Sequence, residues 1–205
     1  MMSKIRNTLL AATCSHLLAC ASTPIHYYTL MAPEHRVAAK GAATYLIEVL
    51  PVGIPVGLDQ PQVVVRQEDG GIAVLDNERW LAPLNEELRA ALSARLAELL
   101  GTQDISGLPR PIQQPVFRVK LEVRRFDSVQ GQYALLDADW SLSLKDHQTE
   151  PRLFCHSMLR EVARGNDHES VVRAHQQIVD ALAVQISDTA RIWANSPLAA
   201  CPTSG

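Results

Sequence analysis

Two stretches in the middle of the chain alternate so regularly that they constrain the fold more than any other feature. Phe117, Val119, Leu121 and Val123 are apolar, and Arg118, Lys120, Glu122 and Arg124 stand between them. Further on, Leu136, Ala138, Trp140, Leu142 and Leu144 alternate with Asp137, Asp139, Ser141 and Ser143. Successive side chains of a strand point to opposite faces, so each run predicts a strand with one buried and one wet face. Ser128–Gln132 connects the two as a hairpin, and Arg152–Ala163, with weaker alternation, reads as a third strand of the same meander.

A sheet that is apolar on one side needs a cover, and two segments supply it. From about Pro83 to Leu100, Leu84, Leu88, Leu92, Leu96 and Leu99 recur at helical spacing, with Glu86, Glu87, Arg89 and Arg95 on the opposite side. Pro83 suits the first helical position and Gly101 the cap beyond the end. From His168 to about Ala194 a longer helix carries Val171, Val172, His175, Ile178, Val179, Leu182, Ile186 and Ala190 on its buried stripe. Before the first helix, Tyr45–Val52 reads as a strand that Pro51 and Pro55 interrupt. A Gly/Pro-punctuated loop follows, then Gln62–Gln67, a Glu68-Asp69-Gly70-Gly71 turn and Ile72–Leu75 as a second hairpin. Tyr27–Leu30 is a short extended segment; Met31–Ala43 and Leu108–Pro115 read as loops. This order predicts a single mixed α+β (mixed α/β) domain, three-layer-like. A largely antiparallel sheet of about five or six strands would pack with two main helices on one or both faces, without a βαβ repeat.

The N-terminus fixes a location. Lys4 and Arg6 precede a short apolar run, and Thr8 to Leu18 falls well short of the ~20 residues that a membrane span needs. Leu17-Leu18-Ala19-Cys20 ends the run as a bacterial lipoprotein signal, with Cys20 the lipid attachment site. The expected organisation is a signal peptide over 1–19, a lipidated tether over 20–44, a folded domain over 45–195 and a tail over 196–205. Diacylglycerol and an N-acyl chain on Cys20 would be the anchor; no dissociable cofactor and no metal are expected. Ala21, which is not Asp, points to the outer membrane in enteric-type bacteria. The mature part loses Lys4 and Arg6 but keeps all 22 acidic residues, which leaves it mildly acidic and argues against a nucleic-acid binder.

Chemistry is sparse. Setting aside Cys14 in the signal and Cys20 leaves Cys155 and Cys201, which an oxidising compartment permits to pair; the sequence leaves the bridge open. Cys155-His156 evokes a thiolate nucleophile, but strand neighbours point apart. A thiol-active envelope enzyme using Cys155 is therefore a rival class, and its test is the state of that thiol. His26, His35, His147, His168 and His175 lack zinc-site spacing, and His175 reads as a satisfied core residue. Leu58, Asp59, Gln60 and Pro61 form the most site-like stretch. One reading makes it a partner contact; the other has Asp59 capping a turn and Pro61 fixing the approach to the strand. Arg79 and Trp80 carry the same ambiguity, with Trp80 either a hydrophobic staple before the helix or a recognition residue. Trp140 reads as core, and Trp193 is open between buried and exposed.

Several of these motifs together resemble one family, the ABC-type transport auxiliary lipoproteins. The resemblance rests on Tyr27-Tyr28-Thr29-Leu30 soon after Cys20, and on Pro55, Leu58-Asp59, Pro61-Gln62 and Arg66 in the first loop and strand. Arg79-Trp80-Leu81-Ala82-Pro83-Leu84 and Asp139-Trp140 complete it. Val56-Gly57 departs from the family's bulkier residues, and so does the Cys201 tail. The resemblance implies a domain similar to the N-terminal domain of the TolB family. It also implies an outer-membrane role beside an MCE-domain periplasmic tunnel and inner-membrane transport components, tethering or docking the tunnel for lipid transport. A periplasmic small-molecule or lipid-binding module is the alternative that a large apolar pocket would favour.

Overall fold

The alternating stretches form the longest strands of the molecule. In the computed structural model, which describes residues 23–32, 43–67, 69–111, 114–145, 151–196 and 200–202, β5 (Val116–Val129) and β6 (Tyr133–Lys145) pair antiparallel along their whole length. β7 (Arg152–Val162) continues the meander beside β6. The apolar set Phe117, Val119, Leu121, Val123, Leu136, Ala138, Trp140 and Leu142 is buried. The register shifts between Val123 and Arg125. That bulge at Arg124 moves the inward phase from odd to even positions, so that Phe126 and Ser128 are buried beyond it.

The other strands are β1 (His26–Tyr28), β2 (Leu46–Val49), β3 (Gln62–Arg66) and β4 (Ile72–Trp80). Seven strands divide into two sheets, in orders β2-β5-β6-β7 and β1-β4-β3. The mixed, largely antiparallel class and the two main helices are as expected, whereas about five or six strands in one sheet were anticipated. The difference lies in the parallel pairs β1 with β4 and β2 with β5. Parallel partners are distant in sequence, so no hairpin turn announces them.

β4 extends five residues past the expected Leu75, through Asp76, Asn77, Glu78, Arg79 and Trp80, because β1 gives this polar segment a ladder partner. β2 is shorter than Tyr45–Val52, yet the chain keeps to β5: Leu50 N–H donates to Val119 O (2.9 Å) and Gly53 N–H to Leu121 O (3.0 Å). A Cβ on Gly53 would lie 1.7 Å from Glu122 Oε2, so any larger residue there would push the flexible Glu122 carboxylate aside.

Helices α1 (Leu84–Leu100) and α2 (His168–Asn195) pack side by side over the large sheet. Both lie on its apolar face; the opposite face carries Arg124 with Asp139, Lys120 with Glu122, and Arg118 with Glu48. α1 buries Leu84, Leu88, Leu92, Leu96 and Leu100, a strict four-residue run in which Leu100 is sealed rather than Leu99. Pro83 is the capping residue just outside the helix, and Gly101 closes the other end in the left-handed conformation at φ +62°. Asp167 caps α2, its carboxylate accepting from Ser170 N–H at 2.6 Å. Trp193, left open by the sequence, is half-buried with its ring 5.8 Å from Phe117. Trp140 is core, and its indole N–H donates to Ser157 Oγ at 2.9 Å.

Candidate functional site

The loop between β2 and β3 is built from backbone hydrogen bonds. Pro55 leads into one 3₁₀ turn, Val56–Leu58. Leu58 N–H donates to Pro55 O (2.9 Å), Asp59 N–H to Val56 O (3.1 Å) and Gln60 N–H to Leu58 O (2.9 Å). The Gln60 amide adds a bond to Gly57 O at 3.3 Å. Leu58 tucks its side chain toward the core, while Val56, Asp59 and Pro61 face solvent. In the structural reading Asp59 caps a turn through its own backbone. Its backbone N–H does close the 3₁₀ turn, and its carboxylate accepts no hydrogen bond among the described residues.

This loop and the Arg79–Leu84 segment meet in space. Gln62 sits opposite Arg79 across the β3–β4 ladder, and Trp80 N–H donates to Pro61 O at 2.8 Å. Leu81 N–H then donates to Tyr28 O at 2.7 Å. The structure therefore gathers Leu58, Asp59, Gln60, Pro61 and Arg79 at one edge of the small sheet. It removes Trp80 from any contact surface, since that side chain is only 4% exposed. Its ring lies 6.2 Å from Phe126 and 6.5 Å from His175. Trp80 is the last residue of a strand; its aromatic partners come from β5 and α2, and it lines one small gap with Leu84 from the first turn of α1.

Two apolar residues that the sequence did not single out for contact complete the edge. Val56 is 92% exposed and Leu81 is 68% exposed. A signal was present in Val56-Gly57, the position that departs from the family pattern.

Behind the edge lies a residue that the sequence misplaced. Glu87 was assigned to the wet side of α1, but it is 4% exposed. Its carboxylate accepts from Thr29 Oγ1 (2.7 Å), Leu30 N–H (2.8 Å) and Ala82 N–H (3.1 Å). One buried charge in the first turn of α1, where the helix dipole favours it, thus bolts the chain leaving β1 to the chain entering α1.

Beneath Leu58, the side chains of Val64, Trp80, Leu84, Phe126 and His175 leave a gap of only about 10 Å³, roughly room for one water. That is far too small for an acyl chain. His175 stacks on Phe126 at 3.9 Å. It is a core residue, as expected, but not a satisfied one, because Nδ1 has no hydrogen-bond partner among the described residues. Burial pushes its pKa down to about 3, against a weak upward pull from Asp127, so the imidazole is neutral.

The thiol reading of Cys155 falls. Cys155 and Cys201 form a disulfide with Cα atoms 5.4 Å apart, so no thiolate is present there. His156 projects to the other face of β7, beside Asp139 at 3.1 Å. Among the described residues, no three His, Cys, Asp or Glu side chains converge as a metal site. Cys20, the signal at 1–19, His35 and His147 lie outside the described residues.

Two solved structures share this fold. One is an uncharacterised protein with a TM-score of 0.60 and 19% identity, matched over 81% of this chain and 98% of its own. The other is protein XCC0632 from Xanthomonas campestris, with a TM-score of 0.59 and 13% identity, matched over 84% of this chain and 99% of its own. No curated protein matches the sequence. The sequence pattern of the ABC-type transport auxiliary lipoprotein component matches residues 28–187, a span that runs from Tyr28 in β1 through most of α2. The chain belongs to the ABC-type transport auxiliary lipoprotein family.

Proposed function

We propose that this protein is an outer-membrane lipoprotein, anchored by diacylglycerol and an N-acyl chain on Cys20, that docks the periplasmic tunnel of an MCE-type lipid transport system. Membership of the family makes it an auxiliary, non-catalytic component of periplasmic transport. Ala21 after the acceptor cysteine supports the outer membrane, and the Cys155–Cys201 bridge suits an oxidising compartment.

The observation that carries the docking reading is the edge formed by Val56, Asp59, Pro61 and Leu81. Two large apolar side chains stand in solvent there beside a carboxylate without a partner among the described residues, on a loop held by its own backbone bonds. An ordered apolar surface of this kind binds with little ordering cost. Confinement at the membrane then raises the effective concentration of the partner, so weak contacts suffice.

The test separates the interface from the fold. Leu81→Asp and Asp59→Ala should each lose complementation of the transport phenotype while thermal stability stays within experimental error of the parent. Loss of stability in step with function would mean that the edge is structural and the docking reading is wrong.

A further inference from the structure

Arg79 stands at the docking edge with no partner of its own among the described residues. We propose that its guanidinium receives a carboxylate from the docked protein, carried by an acidic side chain set among apolar residues, and that Tyr27 and Leu81 close over that pair. This rests on the docking reading above.

The placement follows from the strand. Glu78 and Trp80, on either side of Arg79 in β4, are buried, so Arg79 points to the outer face of the small sheet. Tyr27 lies opposite it on β1 and Gln62 opposite it on β3. Leu81, two residues on, keeps the same side and is tied to β1 by its N–H bond to Tyr28 O. Tyr27 is 58% exposed and Leu81 is exposed as well, so a half-buried cation sits between two large side chains that stand in solvent.

The charge is uncompensated. Arg79 makes no ion pair and no hydrogen bond with any described residue, Asp59 at the same edge included, and its Nε is sealed from solvent without an acceptor. Other arginines of the sheets are satisfied: Arg66 pairs with Asp127 at 3.1 Å, Arg118 with Glu48 at 3.0 Å and Arg124 with Asp139 at 2.7 Å. Arg164 also lacks a partner among the described residues, but it is exposed and water serves it. The chain has 22 acidic residues against 19 basic ones, so a shortage of carboxylates does not explain the isolation of Arg79.

A guanidinium that has given up water without gaining an acceptor is ready for one. Its planar fork of N–H donors matches two carboxylate oxygens at once, and the pair strengthens where apolar neighbours exclude water. Ladder neighbours on both sides hold the stem, so docking orders little that is not already ordered. A phosphate surface calls for several cations together. The edge formed by Leu58, Asp59, Gln60, Pro61, Arg79 and Leu81 carries one, which fits a single carboxylate among apolar side chains.

The experiment uses the full-length lipidated protein in membranes from cells that contain the transport system. Benzoylphenylalanine at position 81 first captures the docked protein. In a second sample Arg79→Lys places an ammonium at the same point, and a carbodiimide joins it as an amide to a carboxylate in contact, the carbodiimide taking up the water as a urea. Mass spectrometry reads the joined peptides. The expected result is an amide between position 79 and an aspartate or glutamate of the protein captured from position 81. Arg79→Gln should weaken that complex about tenfold or more with thermal stability unchanged. Replacing the identified acid with arginine should restore the complex that Arg79→Glu breaks. Capture from position 81 with no amide at 79, or with an amide to Asp59 alone, would overturn the inference and leave the docking reading standing. Loss of stability in step with the complex would make Arg79 a structural residue and overturn the inference as well. Lipid adducts in place of protein at position 81, or no adduct there, would overturn both.

Discussion

His175 is the residue on which stability should depend most visibly within an accessible pH range. Its imidazole is buried, neutral and stacked on Phe126, and its pKa falls from 6.5 to about 3. Below pH 6.5 the unfolded chain binds a proton that the native state refuses. Stability is therefore full above pH 6.5 and is lost as pH falls toward 3, with a slope approaching ~1.4 kcal/mol per pH unit. Chemical denaturation between pH 7 and 5 should show this slope, and His175→Gln should flatten it; an unchanged slope would mean that another group is responsible. Glu87 supports a second expectation at this scale. Glu87→Ala removes the acceptor of two backbone N–H groups and one hydroxyl. It should cost about 2–3 kcal/mol in equilibrium unfolding. Neither role was fully legible in the sequence. His175 stood on an apolar stripe and was placed correctly, but its missing partner depends on β5 and β4. Glu87 looked like a solvated charge because its own neighbours are charged, while its donors Leu30 and Thr29 come from 57 and 58 residues away.

Elements were legible where their pattern was local. The β5–β6 hairpin, both main helices and the Gly101 cap follow from alternation, helical spacing and turn chemistry inside each segment. The second half of β4 did not, because Asp76-Asn77-Glu78-Arg79 has neither alternation nor β-favouring residues, and only its pairing with β1 makes it a strand. The bulge at Arg124 was equally silent, since one extra residue simply ended the visible alternation. Two element-level predictions follow from this geometry. Gly101→Ala places a Cβ on a left-handed residue and should lower stability by about 1 kcal/mol in thermal or denaturant unfolding. Cys201→Ser releases the tail from β7 and opens a 46-residue loop. It should cost about 2–4 kcal/mol, with the loss matched by adding a reductant to the parent protein. A variant as stable as the parent would mean that the bridge adds nothing to the native fold.

At the scale of the whole molecule the account is one of position. The family assignment gives a transport auxiliary without chemistry of its own, and the disulfide leaves Cys155 no catalytic thiol. In the proposed arrangement Cys20 would supply the membrane anchor, and the loop after β2 presents Val56, Asp59 and Pro61 to solvent, with Leu81 exposed beyond β4. The loop was readable as a candidate from its Pro, Gly and Asp residues, but the side facing outward was not. Trp80 turned into the core, whereas Leu81, one residue on, did not. Cys20→Ala should abolish recovery in the membrane fraction; unchanged outer-membrane recovery would remove the anchor from the account. The most direct test of the central claim is photo-crosslinking in living cells from benzoylphenylalanine at position 81. The account predicts capture of an MCE-domain protein from that position and not from Phe154 on the far sheet, and capture of only unrelated proteins from position 81 would contradict it.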